Sequence, residues 1–189
     1  MSRIIILMFA FFVACSHSNS QAANNKKKKN NPDVKKITKT EKEWKEILTK
    51  DQYYVLREKG TESRYKGYWN SKEKGIYQCA ACSTPLFSSE TKYKSGTGWP
   101  SFWQPIVDKN VGEIEDRSLG MTRVEVVCNV CDSHLGHVFN DGPRPTGMRY
   151  CINSISLKLQ KGVSQLPKKT EAKVEKKEAK VEEMEPSKK

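Results

Sequence analysis

Four of the six cysteines in this 189-residue sequence form two matched pairs, Cys79-x-x-Cys82 and Cys128-x-x-Cys131. Two such knuckles supply four thiolates that can close a tetrahedron around Zn²⁺, and a site with four protein sulfurs has no open position for substrate, so the metal would be structural. The long separation of Cys82 from Cys128 means that the ion would clip together two distant hairpins. Two disulfides or two redox-active dithiols are the competing use of these sulfurs, and the N-terminus described below keeps that alternative open. Cys151 stands apart, in the run Arg149-Tyr150-Cys151-Ile152-Asn153. A cation beside it would favour the thiolate, and Asn153 can donate a hydrogen bond to an oxygen placed next to the sulfur. A structural thiol near a strand end is the plainer alternative.

Two of the three histidines lie in His134-Leu135-Gly136-His137, directly after the second knuckle. A metal clip would hold this segment in a fixed place, so both imidazoles could serve as acids or hydrogen-bond donors. A metal role competes, but four cysteines already satisfy one zinc; His17, in the leading segment, is given no role. In Gly96-Thr97-Gly98-Trp99-Pro100-Ser101-Phe102-Trp103, glycines flank a Trp-Pro step. Such a turn can expose indole surface for gripping a small apolar group, although Trp99, Phe102 and Trp103 could equally be core, and Trp103 is expected there.

These residues need elements to hold them. Thr40 and Glu43 fit a capping box with Trp44, Ile47 and Leu48 following at helical spacing; Thr49 and Gln52 offer a second box, with Gly60 as the stop. Beyond Gly60, short β-prone runs alternate with Gly, Pro and Ser turns, which predicts a mainly β domain. Gly75-Ile76-Tyr77-Gln78 should lead as a strand into the first knuckle, and Thr122 to Val127 into the second. Met148 to Leu159 reads as the longest strand, with Arg149, Cys151, Asn153, Ile155, Leu157 and Leu159 on one face by the period of two.

The ends of the chain have a different character. After Met1-Ser2-Arg3, the apolar run from Ile4 to Ala14 is too short to span a bilayer but suits a signal-peptide core, so residues 1–22 read as an export region and the protein as exported to a bacterial periplasm or cell envelope. Phe12-Val13-Ala14-Cys15 resembles a lipoprotein processing site, with Phe12 where that pattern usually has leucine; cleavage near Ser20-Gln21-Ala22 would instead discard Cys15. The net charge is +12, yet residues 38–160 carry eighteen basic and fifteen acidic side chains, so most of the excess lies in a basic linker (23–37) and a Lys/Glu-rich tail (161–189). Neither segment can bury enough apolar surface to fold alone, and both read as disordered. No nucleic-acid motif accompanies the charge. What remains, 38–160, is the size of one domain.

Taken together, the segments resemble the type B methionine sulfoxide reductases, which reduce the R epimer of methionine sulfoxide. The resemblance runs from about Thr38 to Leu159 and rests on Gly98-Trp99-Pro100-Ser101-Phe102, His134-Leu135-Gly136-His137-Val138-Phe139, Asp141-Gly142-Pro143 and Arg149-Tyr150-Cys151-Ile152-Asn153-Ser154, with both knuckles in register. It implies a zinc-clipped, mainly β fold of two small antiparallel sheets with short N-terminal helices, and one structural Zn²⁺ per chain on Cys79, Cys82, Cys128 and Cys131. It implies Cys151 as nucleophile, with His134, His137 and Asn153 polarising the sulfoxide oxygen. Trp99, Arg149 and Phe139 would bind substrate, Trp99 holding the methyl group and Arg149 supporting the thiolate. Oxidised proteins would be the substrates of a monomer. Many relatives carry a second cysteine where this chain has Thr97, so recycling here would fall to an external small thiol or a thioredoxin-like protein. A peptide-binding module built on Trp99, and a thiol-disulfide oxidoreductase built on the knuckles, are the rival readings; neither explains why two histidines and Asn153 accompany one unpaired thiol.

Overall fold

A computed structural model describes residues 34–166. The export region with Cys15, most of the basic linker and the tail from residue 167 lie outside the described residues. Two short helices open the domain, α1 (Glu41–Ile47) and α2 (Lys50–Leu56). Both capping boxes form: the Thr40 hydroxyl accepts from the Glu43 amide while the Glu43 carboxylate takes the Thr40 N–H, and Thr49 and Gln52 repeat the exchange. Each exchange satisfies two amides that a helix start leaves without partners. Trp44 is the buried anchor of α1, with the Arg57 guanidinium 5.0 Å from its ring centroid. Gly60 is not the stop. The α2 helix ends at Leu56, Lys59 takes the left-handed backbone (φ 60°), and Gly60 lies so close to the Tyr54 ring that a Cβ there would strike it.

Nine strands follow: β1 (Gly75–Cys79), β2 (Pro85–Ser88), β3 (Lys92–Tyr93), β4 (Ser101–Phe102), β5 (Val111–Asp116), β6 (Arg123–Cys128), β7 (His134–Phe139), β8 (Arg149–Ile152) and β9 (Leu157–Lys161). They form two antiparallel sheets, one ordered β2-β1-β9 and the other β3-β4-β8-β7-β6-β5. One core serves both: Tyr77 and Phe87 of the small sheet meet Phe102 of the large one, with the Phe87 and Phe102 rings stacked at 4.6 Å. Burying such rings is the main stabilising term in a domain of this size. This is the mainly β arrangement of two sheets and N-terminal helices that the resemblance implied. Trp103 departs from expectation, being half-buried and outside the core cluster.

The long strand expected from Met148 to Leu159 is two strands in different sheets, joined by a 3-10 turn at Ser154–Ser156. The cause is a distant carboxylate. Glu62 accepts hydrogen bonds from the backbone amides of both Ser154 and Ile155, the latter at 3.0 Å, so these N–H groups turn away from any ladder. The single face from Arg149 to Leu159 therefore does not exist. Arg149 and Cys151 belong to the large sheet, and Leu157 and Leu159 to the small one.

Candidate active site and metal centre

Each knuckle is a tight turn at a strand end. The Ser83 amide donates to the Cys79 carbonyl and the Asp132 amide to that of Cys128, both at 2.8 Å. Ser83 (φ 61°) and Asp132 (φ 56°) take matching left-handed conformations. The four sulfurs converge: Cys79 Sγ lies 3.7 Å from Cys131 Sγ, Cys82 Sγ 3.6 Å from Cys128 Sγ, and all four fall within 4.8 Å of one another. A Zn–S bond of about 2.3 Å sets a tetrahedron edge of about 3.8 Å, so the donor set fits a tetrahedral ion. Both of these close contacts run between knuckles and are well beyond the roughly 2.05 Å of a disulfide. Because β1 and β6 belong to different sheets, the cluster is a group of four cysteines able to hold a metal between the two.

Cys151 sits mid-sheet on β8, directly opposite His137 of β7 on one side and Ser101 of β4 on the other. Its neighbour Trp99 is tied down close by: Ile152 N–H donates to the Pro100 carbonyl at 2.9 Å, and the indole Nε1–H donates to the Glu62 carbonyl at 3.3 Å. The Arg64 guanidinium covers the Trp99 ring at 5.1 Å. Thr97 Oγ1 lies 3.8 Å from the Cys151 sulfur and is backed by Ser95 Oγ at 2.9 Å, which in turn contacts Ser101 Oγ at 2.7 Å. Burial pushes the Cys151 thiol up, opposed by the Thr97 hydrogen bond and the Arg149 charge. Arg149 is itself held by two 2.8 Å bonds to the Asp141 carboxylate and lies 4.3 Å over the Phe139 ring, its cross-strand partner.

The histidines stand three positions apart, an odd spacing that would place them on opposite faces of a regular strand. A bulge corrects this. Pairing between β6 and β7 sets Val126 against Gly136 but Val127 against His134, leaving Leu135 as the extra residue, and the two imidazoles come to lie on one side with centroids 5.6 Å apart. Gly136 completes the arrangement, since a Cβ there would strike the Cys151 carbonyl. Asn153, 3% exposed, donates from Nδ2 to the Leu135 carbonyl at 3.0 Å and accepts the Glu62 N–H at 3.1 Å, so it fixes the bulged residue from the β8 side.

Two carboxylates escaped the sequence reading. Glu125, 4% exposed on β6, meets His134 Nδ1 at 2.9 Å and receives Lys59 Nζ at 2.7 Å. Asp116, at the end of β5, meets His137 Nε2 at 2.8 Å and is bound by Arg123 and the Ser118 amide. Burial works to raise both carboxyls, but the hydrogen bonds from their imidazoles and cations outweigh it and hold both below the ordinary range. Burial likewise pushes the His137 imidazole down against the pull of Asp116. No sequence signal marked Glu125, which falls on one sheet row with His137 and Cys151 only once the strands pair.

Residues 48–161 of the chain match the SelR domain. The chain is 57% identical over 126 residues to the peptide methionine sulfoxide reductase MsrB of Leptospira interrogans, covering 66% of this chain and 96% of that protein. It is 62% identical over 124 residues to the MsrB of Methanosarcina mazei, covering 65% and 88%. To the chloroplastic peptide methionine sulfoxide reductase B1 of rice it is 61% identical over 123 residues, covering 65% of this chain and 58% of that longer protein. The sulfur cluster and the row of thiol and imidazoles both fall inside the matched span, and the chain belongs to the SelR-domain family, that of the type B methionine sulfoxide reductases.

Proposed function

We propose that the protein reduces the R epimer of methionine sulfoxide, mainly in oxidised proteins, by a one-cysteine cycle at Cys151. The observation that carries this reading is the cross-strand pairing of Cys151 with His137, with a hydroxyl, Thr97 Oγ1, as the sulfur's close side-chain neighbour. The Cys151 sulfur attacks the sulfoxide sulfur and forms an S–S bond; that bond and the S–O bond break as the oxygen passes to Cys151, which is left as a sulfenic acid while the thioether leaves. The sulfoxide gains the two electrons that the thiol loses, and the thiol proton is retained on the sulfenic acid. Sulfoxide sulfur is a competent electrophile only when its oxygen is protonated or strongly hydrogen-bonded, a task suited to His134, His137 and the remaining amide hydrogen of Asn153. Trp99 and Phe139 offer apolar walls for the methyl group, and Arg149 supports the thiolate.

The cycle closes outside the chain. With threonine beside the nucleophile and the other described cysteines gathered in the metal cluster, a small thiol or a thioredoxin-like protein reduces the sulfenic acid. The cluster holds one structural Zn²⁺. The protein is exported, with Cys15 as a lipid anchor and the basic linker as spacer; fatty-acid labelling lost in Cys15→Ser is the expected result, and an unlabelled parent would oppose it. The central test is an assay on resolved R and S epimers, free and peptide-bound, with several thiol donors. Turnover of the R epimer alone, abolished by Cys151→Ser, is expected, together with a sulfenic acid at Cys151 after one turnover without reductant. An internal disulfide to Cys151, or substantial turnover by the variant, would defeat the proposal.

A further inference from the structure

The two imidazoles meet their carboxylates through different nitrogens: His134 uses Nδ1 toward Glu125, His137 uses Nε2 toward Asp116. A carboxylate only accepts, so each contact places a proton on the nitrogen that faces it. The opposite nitrogen is then the one that gains or loses a proton at the site. For His134 that nitrogen is Nε2, which is buried in a side chain 3% exposed and has no hydrogen-bond partner among the described residues. For His137 it is Nδ1. We infer that Glu125 and Asp116 are positioning residues of the reaction, which hold His134 and His137 in opposite tautomers so that Nε2 of one ring and Nδ1 of the other are the nitrogens left to serve the reaction. In the imidazolium form each such nitrogen can donate to the sulfoxide oxygen, and the carboxylate behind the ring stabilises the charge that the ring then carries.

Neither carboxylate is free to choose another partner. Lys59 takes the second oxygen of Glu125, while Arg123 and the Ser118 amide bracket Asp116. The bulge at Leu135 brings the two rings within 5.6 Å of each other, yet each meets a different carboxylate, Glu125 of β6 for His134 and Asp116 at the end of β5 for His137. The inference rests on the proposed role of the histidines, and one measurement stands apart from it. Two-bond ¹⁵N–¹H NMR on ¹⁵N-histidine-labelled wild-type protein reads the tautomers directly: a proton on Nδ1 of His134 and on Nε2 of His137 is expected, and the same tautomer in both rings would overturn the assignment. With Glu125→Gln and Asp116→Asn, the amide can donate and the tautomer is released. Each variant should lose about 10²-fold in the single-turnover rate of sulfoxide reduction, with substrate KM and iodoacetamide labelling of Cys151 little changed, and Asp116→Glu should recover part of the loss. Unchanged single-turnover rates in both variants would overturn the positioning role even if Cys151 still forms a sulfenic acid, and loss of rate only in step with loss of native near-UV circular dichroism would overturn it as well.

Discussion

Burial holds the Cys151 thiol above its ordinary range, outweighing the help from Thr97 and Arg149. Burial thus disfavours its thiolate, the form open to alkylation and oxidation. Labelling by iodoacetamide is expected to rise with pH to a midpoint above the ordinary thiol range; Thr97→Val should move that midpoint higher still, and a midpoint below the ordinary range would contradict the burial argument. Asp116 carries the opposite sign: its folded carboxyl is held below the unfolded value, so it stabilises the fold above the unfolded carboxylate range, and that contribution fades as pH falls through the folded value. Urea midpoints of wild type and Asp116→Asn should therefore differ near neutrality and converge in acid. At this scale the sequence was legible where residue types are rare. Cysteines in knuckles and two of three histidines in one segment stand out. Glu125 and Asp116 do not, because a glutamate alternating with valines looks like a solvent face, and its partner Lys59 is 66 residues away.

The helices were readable to their caps, since a capping box is closed within four residues. The strands were readable where the deciding contacts are local, as in β1 and β6, and failed where they are not. The run from Met148 to Leu159 alternates well enough for one strand, but Glu62, 92 residues before Ser154, takes the amides that such a strand would use. The bulge at Leu135 was equally hidden, as it depends on β6 offering one residue against two. Glu62→Gln replaces one accepting oxygen with a donor, which leaves a turn amide without its partner at a cost of about 1–3 kcal/mol by urea unfolding. Burial raises the Glu62 carboxyl above its ordinary range against those same amides. That contribution is present below the unfolded carboxylate pKa and is lost as pH rises through the folded value, so the wild type should lose stability over that interval and the Gln variant should lack that slope.

Across the whole molecule, the four-cysteine cluster brings the end of β1 in the small sheet together with the end of β6 in the large one, and a short hydrogen-bond path leads from it to the candidate site. Ala80 of the first knuckle donates to the Ser156 carbonyl, and the Ser156 hydroxyl donates to the carbonyl of His134. Strong chelators, or Cys82→Ser, are expected to release about one ion per chain, to lower stability by at least ~4 kcal/mol, and to reduce sulfoxide turnover although no substrate touches the ion. Full activity in metal-free protein would remove the cluster from any role in holding His134. The overall class was legible because turn residues and knuckles divide the sequence into short strands. The exchange of the chain between sheets after Ile152 was not, since it depends on Glu62, Lys66 and Tyr68 meeting Ser154 from far upstream.

The order of the strands also fixes when the enzyme can come into being. Strand β8 fills the gap between β4 and β7, and β9 supplies the second partner of β1, so both sheets wait for the thirteen residues from Arg149 to Lys161. A nascent chain that ends before Arg149 holds its knuckles, histidines and tryptophan turn without the strand that unites them, and closing such long loops is slow. The same short stretch carries Cys151 and completes both sheets, so a chain too short to contain Cys151 also lacks β9 and the end of β8.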